Sequence, residues 1–256
     1  MKNIKILSYA IVVLLMITSK ANAEIILLQP NDFVGITFWL ASLGMLAATI
    51  FFFIERGTIT ASWKLPITVA GLITGVAFIH SMYMRSIWVQ TGDVPTLYRY
   101  IEWIITFPLL AVQFYLILSA VRKVPTLMFW RLLAAGLVMT ISQYLGESGY
   151  LQSFIAFVIG MIGWIFILFE IFAGEASKIC ARSSNRSLVK AYGTMKMIVA
   201  VGWSIYPLGY IFGYLTGGVD PGVLNIIYNL ADFVNKIAFG VIIWVAAMGN
   251  TSLSRR

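Results

Sequence analysis

The chain has 256 residues, 60% hydrophobic, 14% aromatic and only 11% charged, with a mean hydropathy of +0.90. Soluble domains carry about 25% charged residues, so a water-soluble enzyme is excluded, and one Cys and one His exclude a disulfide framework and a Cys- or His-rich metal centre. The formal charge of +8 would suit a nucleic-acid partner only if the basic residues shared a face; they sit instead at the ends of apolar runs.

Residues 1–23 read as a secretory signal peptide. Lys2 and Lys5 give a basic start, an apolar stretch runs from Ile6 to Ile17, and Ala21-Asn22-Ala23 gives a small-x-small cleavage pattern. Residues 24–256 then form one domain. Runs long enough to cross a hydrocarbon core as helices lie near 33–54, 66–88, 97–120, 129–146, 151–173, 194–216 and 222–248. Turn-rich pieces such as Thr91-Gly92-Asp93 and Gly217-Gly218-Val219-Asp220-Pro221 separate some of them. Barrel-type alternation is absent, so the fold expected is all-α, a bundle of seven transmembrane helices with an interior site. Arg56, Lys64, Arg122, Lys123, Arg131, Lys178, Arg182, Arg186, Lys190, Lys196, Arg255 and Arg256 fall on one side of the spans. Asp93, Glu147 and Asp220 lie at or near the other side. The positive side faces the cytoplasm, which places the N-terminus outside and the C-terminus inside.

Ionisable groups at membrane depth are candidate functional residues. Span two carries the single histidine, His80, in its outer half. Span three carries Arg99, Glu102 and Thr106, three and four residues apart and so on one helical face. Gln113 is eleven residues past Glu102, about 16 Å further along the same stripe. Span seven carries Asp232 one turn before Lys236, which lies too deep to snorkel easily to water. This i,i+4 pair is either a structural ion pair or a reactive buried amine of the kind that forms Schiff bases with carbonyl compounds. A cation on span seven has the spacing to face both Glu102 and Asp232, with Arg99 just outside. Trp203 and Tyr206, read without the lysine, are ordinary packing residues of a membrane helix.

The sequence resembles the microbial rhodopsins, and within them the proteorhodopsin branch. The stretches that carry the likeness are Phe38-Trp39-Leu40, Phe51-Phe52-Phe53-Ile54-Glu55-Arg56, His80-Ser81-Met82-Tyr83-Met84-Arg85, Tyr98-Arg99-Tyr100-Ile101-Glu102-Trp103, Gly202-Trp203-Ser204-Ile205-Tyr206-Pro207 and Ile227-Tyr228-Asn229-Leu230-Ala231-Asp232-Phe233-Val234-Asn235-Lys236. The resemblance implies all-trans retinal bound covalently to Lys236 as a protonated Schiff base. It makes Glu102 the proton acceptor and Asp232 a second counterion, with Arg99 setting their charge and His80 partnering Glu102. Trp103, Met139, Trp164, Trp203, Tyr206 and Pro207 become pocket walls. Leu110 falls at the colour-tuning position and resembles the green-absorbing type, and Phe157 argues against an antenna pigment. Trp39 and His80 resemble protomer-contact residues, implying a pentamer or hexamer in the lipid of a bacterial inner membrane, with Glu55 and Arg56 available for inter-subunit pairing.

Two positions depart from the pumping pattern of that branch. Glu102 stands where aspartate is usual, and Gln113 stands where a carboxylate proton donor is usual. An amide cannot donate a proton at ordinary pH, so reprotonation from the cytoplasm is expected to be slow; Glu170 and Glu175 are distant alternatives, more plainly read as solvated or interfacial acids. The set Glu102, Thr106, Gln113 matches neither chloride nor sodium pumps. A light-driven outward proton pump is therefore expected, with a photosensory protein acting through a separate transducer as the alternative. A chromophore-free membrane protein leaves Lys236 and its aromatics unexplained, and an ion channel would need a more polar lining.

Overall fold

Backbone groups in lipid must bond to one another, which leaves helices or closed barrels. A computed structural model gives the fold of residues 29–254, and among these there are helices and no strand. The expected signal segment, 1–23, lies outside the described residues. Seven spans are long and apolar enough to cross a membrane: Phe33–Glu55, Ala61–Thr91, Thr96–Ser119, Thr126–Glu147, Ser153–Ala181, Arg186–Leu215 and Pro221–Ser252. Each packs on the next in chain order, and the seventh closes the ring against the first while also touching the second. Span three is the most enclosed of the seven. It therefore presents its polar stripe to the interior.

Short local bonds fix the ends. Asp32 Oδ1 accepts from Gly35 N at 2.8 Å, capping span one, and also accepts from Trp88 Nε1 at 2.9 Å. The same carboxylate thus ties the start of span one to the end of span two. Gly92 stops span two at φ 69°, a left-handed turn that glycine adopts at little cost, with its N–H on Trp88 O at 2.8 Å. Spans three and four approach backbone to backbone, since a Cβ on Gly136 would lie 2.7 Å from Pro108 Cα.

Spans five and six run further than their apolar stretches. Hydropathy ends span five near 173 and starts span six near 194, yet helix continues through Glu175–Ala181 and resumes at Arg186–Met197. Hydropathy registers lipid contact, whereas Lys, Arg and Glu are themselves good helix formers in water. Asn185 Oδ1 caps the second segment through Leu188 N at 2.9 Å. Glu170 is likewise not a solvated acid: it is 2% exposed, accepts from Ala176 N at 2.9 Å, and lies 3.7 Å from Arg131. Arg131 also bonds Glu175, so these acids join spans four and five. Cys180 is buried.

The Gly136–Pro108 approach leaves no room for a side chain. Gly136→Ala should lower the free energy of unfolding by about 1–3 kcal/mol, the usual penalty of overpacking, read as a lower midpoint of chemical unfolding. Gly193→Ala, where a Cβ meets nothing within 4 Å, should leave that midpoint unchanged or raise it slightly.

Candidate functional site

The polar stripes of spans three and seven meet in the bundle interior. Lys236, 1% exposed, places Nζ 2.6 Å from Glu102 Oε1 and 3.0 Å from Asp232 Oδ1. Thr106 Oγ1 donates to the same Glu102 oxygen at 2.7 Å, because residues four apart on span three share a face. Asp232 accepts from Tyr206 Oη at 2.7 Å and from Trp103 Nε1 at 3.2 Å, and Arg99 Nη1 lies 3.8 Å from its other side. Two cations and two carboxylates thus share one buried cluster. Removing one partner of such a cluster leaves an uncompensated charge, a loss of about 3–5 kcal/mol.

Arg99 is held by residues that the sequence reading did not single out. Its Nη2 donates to Asn225 Oδ1 at 2.8 Å, Asn225 O at 3.1 Å and Asn229 Oδ1 at 2.7 Å. Asn229 Nδ2 donates onward to Thr37 on span one, and the rings of Phe38 and Tyr228 lie 5.4 and 5.5 Å from the guanidinium carbon. A signal for them existed. Positions 225, 229, 232 and 236 form a polar stripe spaced four, three and four along span seven, the repeat of a single helix face.

Beside this cluster is a narrow apolar cavity lined by Trp103, Phe107, Met139, Thr140, Gln143, Met161, Trp164, Trp203, Tyr206 and Pro207. Trp103 and Tyr206 face both the cavity and Asp232, and Lys236 Nζ lies 5.8 Å from the Phe107 ring centroid. One wall depends on irregular backbone in span six. Pro207 has no N–H to offer Trp203 O, which takes Tyr206 N–H instead at 3.1 Å. Gly202 O then accepts from Asn235 Nδ2 on span seven at 3.0 Å. A Cβ at Gly202 would lie 2.2 Å from Asn235 Oδ1, so the approach requires glycine. One turn earlier, Ile198–Gly202 is a π-turn in which Trp203 N–H reaches back to Ile198 O, and Val199 O accepts from Trp164 Nε1 at 3.2 Å. The irregular backbone and the indoles of Trp164 and Trp203 are therefore one arrangement. Nothing in the hydropathy of this run announces a π-turn.

Other expected residues stand apart. Leu110 is buried but does not line the cavity. Gln113, fully buried, donates from Nε2 to Pro66 O on span two at 3.0 Å, and its Oε1 has no partner. His80 is buried with Nε2 unpartnered, and no hydrogen bond joins it to Glu102; its ring lies 6.1 Å from that of Tyr83. Phe157 stacks on Tyr210 at 5.7 Å. Trp39 carries the Arg85 guanidinium 4.8 Å from its ring. Glu55 accepts from Trp244 Nε1 and Arg56 Nε donates to Thr68, both within the protomer.

Residues 32–250 match the family model described as bacteriorhodopsin-like protein. The blue-light absorbing proteorhodopsin of Gamma-proteobacterium Hot 75m4 is 51% identical over 88% of this chain and 90% of its own length. The green-light absorbing proteorhodopsin of Gamma-proteobacterium EBAC31A08 is 47% identical over the same shares. The solved blue light-absorbing proteorhodopsin from Med12 superposes with a TM-score of 0.73 at 47% identity, covering 85% of this chain and 99% of that one.

Tyr206 supplies a hydroxyl donor to Asp232 and contacts Asn235. Tyr206→Phe keeps the ring and removes the donor, so it should lower stability by about 1–3 kcal/mol, measured by thermal or chemical unfolding of the pigment-free protein.

Proposed function

The chain belongs to the bacteriorhodopsin-like family, and on that premise we propose that it carries all-trans retinal on Lys236 and moves protons outward across a membrane under light, with a slow recovery. The observation that carries this reading is Lys236 Nζ, buried between two carboxylates beside an aromatic cavity. The residues present fit an elongated apolar aldehyde. Cavities that take small molecules are mostly apolar with a few placed polar groups, and this one offers flat walls from Trp103, Trp164, Trp203, Tyr206 and Pro207 near the amine. Trp203, one of the lining residues, has its indole N–H buried and without a partner. When bound, retinal supplies the light-absorbing polyene and an isomerisation that alters proton affinity at the nitrogen.

The protein's own groups then divide the work. Glu102 Oε1 is within direct proton-transfer distance of Lys236 Nζ, and Thr106 orients that oxygen. Asp232 is engaged by Tyr206, Trp103 and Arg99 as well as by Lys236, so it serves as the fixed anion while Glu102 accepts the proton. Arg99 stands on the outward side, held by Asn225 and Asn229. The Gln113 amide has no carboxyl proton to return and is tied to Pro66 O, which supports slow reprotonation. His80 keeps its expected role of adjusting Glu102 through the local field. Leu110, three residues past Phe107 and so on its side of the helix, keeps the colour-tuning role.

The chain is a multi-pass membrane protein. We place it in a bacterial inner membrane with the N-terminus outside and the signal removed after Ala23, and assign it a pentameric or hexameric state. Sensing through a transducer is the reading that remains if illumination moves no protons.

Retinal-supplied cells expressing the chain should acidify an unbuffered medium in the light, and an uncoupler should abolish the signal; a coloured protein without acidification overturns the pump. Lys236→Ala should take up no covalent pigment, judged by visible absorption. Gln113→Glu should speed the late recovery of absorbance about tenfold or more, within the usual reach of an added proton donor; an unchanged rate would show reprotonation by another route.

A further inference from the structure

Two polar side chains of span four, Thr140 and Gln143, interrupt the otherwise apolar lining of the cavity. Gln143 is 8% exposed, and its side-chain amide makes no hydrogen bond among the described residues. A buried amide without a partner is costly, which points to a bonding group that comes from outside the protein. Its neighbours are already engaged. Ser142 Oγ donates to Val138 O at 2.7 Å, and Thr140 Oγ1 donates to Gly136 O at 3.0 Å. Thr140, 2% exposed, still has oxygen lone pairs with which to accept. Span five leaves space for the amide, since a Cβ on Gly160 would lie 3.0 Å from Gln143 Cγ and 3.1 Å from Gln143 Nε2.

The cavity therefore has two unlike ends. Span seven, which carries Lys236, packs mainly on spans one, two and six, whereas span four packs on spans three and five. At the end near Lys236, Trp103 and Tyr206 bond to Asp232. At the end formed by spans four and five lie Thr140 and Gln143. An elongated aldehyde attached at Lys236 directs its ring towards that second end. A plain hydrocarbon ring would leave the amide unpaired. A ring hydroxyl can donate to the oxygen of Thr140 or Gln143 and accept from the Gln143 N–H. Sites that hold an unpaired polar group discriminate against ligands that cannot bond to it.

We propose that Gln143, with Thr140, makes the site selective for an all-trans retinal that carries a hydroxyl on its ring. This selection rests on the attachment of retinal to Lys236 proposed above, but it is read separately.

The test is competitive uptake by the pigment-free full chain. The protein is offered an equimolar excess of all-trans-retinal and its 3-hydroxy form, and in a second experiment its 4-hydroxy form. The bound aldehydes are then released as oximes and quantified by chromatography. For one of the two forms, the ratio of hydroxylated to plain retinal bound should be about 3- to 10-fold higher in wild type than in Gln143→Met, the reach of one hydrogen bond. Gln143→Leu makes the same comparison if the Met variant does not fold. An amide with no partner in the protein loses nothing on replacement, so Gln143→Met should leave the thermal midpoint of the pigment-free protein unchanged or raise it. A marked fall in that midpoint shows that the amide is bonded within the protein and overturns the selection. Equal uptake ratios in wild type and variant, for both hydroxylated forms, also overturn it and leave attachment at Lys236 standing. Wild type that takes up no aldehyde overturns both.

Discussion

A positive charge on Lys236, placed where water does not reach, requires anions within contact distance, and much of the bundle's interior follows from that requirement. Glu102 at 2.6 Å and Asp232 at 3.0 Å supply them from two spans. Two carboxylates beside one ammonium then call for a second cation, Arg99. Arg99 in turn requires the carbonyl and amide oxygens of Asn225 and Asn229, since a buried guanidinium is costly unless its N–H groups are bonded. Span three, the most enclosed of the seven, carries two members of this set, and span seven carries the other two.

The two halves of the interior differ in kind. Towards the end of the bundle where span three begins, polar contacts run from Lys236 and Asp232 through Arg99 to Asn225, Asn229 and Thr37, and the pair Tyr100–Glu147 lies beyond a layer of aromatic rings. Towards the other end, Gln113 is the fully buried polar group on that side of span three, and it is fastened to Pro66. Beyond it, Glu170 and Arg131 are engaged in joining spans four and five. A proton leaving Glu102 therefore meets polar partners in one direction and an amide with an apolar surround in the other. That asymmetry is a property of the side chains themselves and does not depend on the bound chromophore.

Much of this was legible before any coordinates. Charged residues inside apolar runs are costly, so Arg99, Glu102, Asp232 and Lys236 announced themselves, and helical spacing put them on two stripes. The likeness to microbial rhodopsins pointed to six wall residues, four of them aromatic, and all six line the cavity. What stayed hidden was whatever depends on two distant segments at once. Glu147 and its hydroxyl partners lie about fifty residues apart or more, and nothing local marks the acid as other than a helix end. The helices beyond 173 and before 194 were missed because hydropathy measures affinity for lipid and is blind to a helix continuing into water. The bond between Asn235 and Gly202 O follows from Pro207 lacking an N–H, a chain of cause visible only once spans six and seven are side by side.

Span six also has a consequence for how such chains vary in length. A π-turn closes with one more residue than an α-turn, so Ile198–Gly202 and Ile211–Leu215 each hold a residue that an uninterrupted α-helix would not contain. Removing or adding one residue at such a point converts one kind of turn into the other, while the helix on either side keeps its own bonding. Insertions and deletions, which soluble domains confine to loops, are thus tolerable here in the middle of a membrane helix. An alignment that forces this segment to be gap-free would misassign the facing of every residue beyond the turn by about 100°, enough to exchange lipid-facing and interior positions.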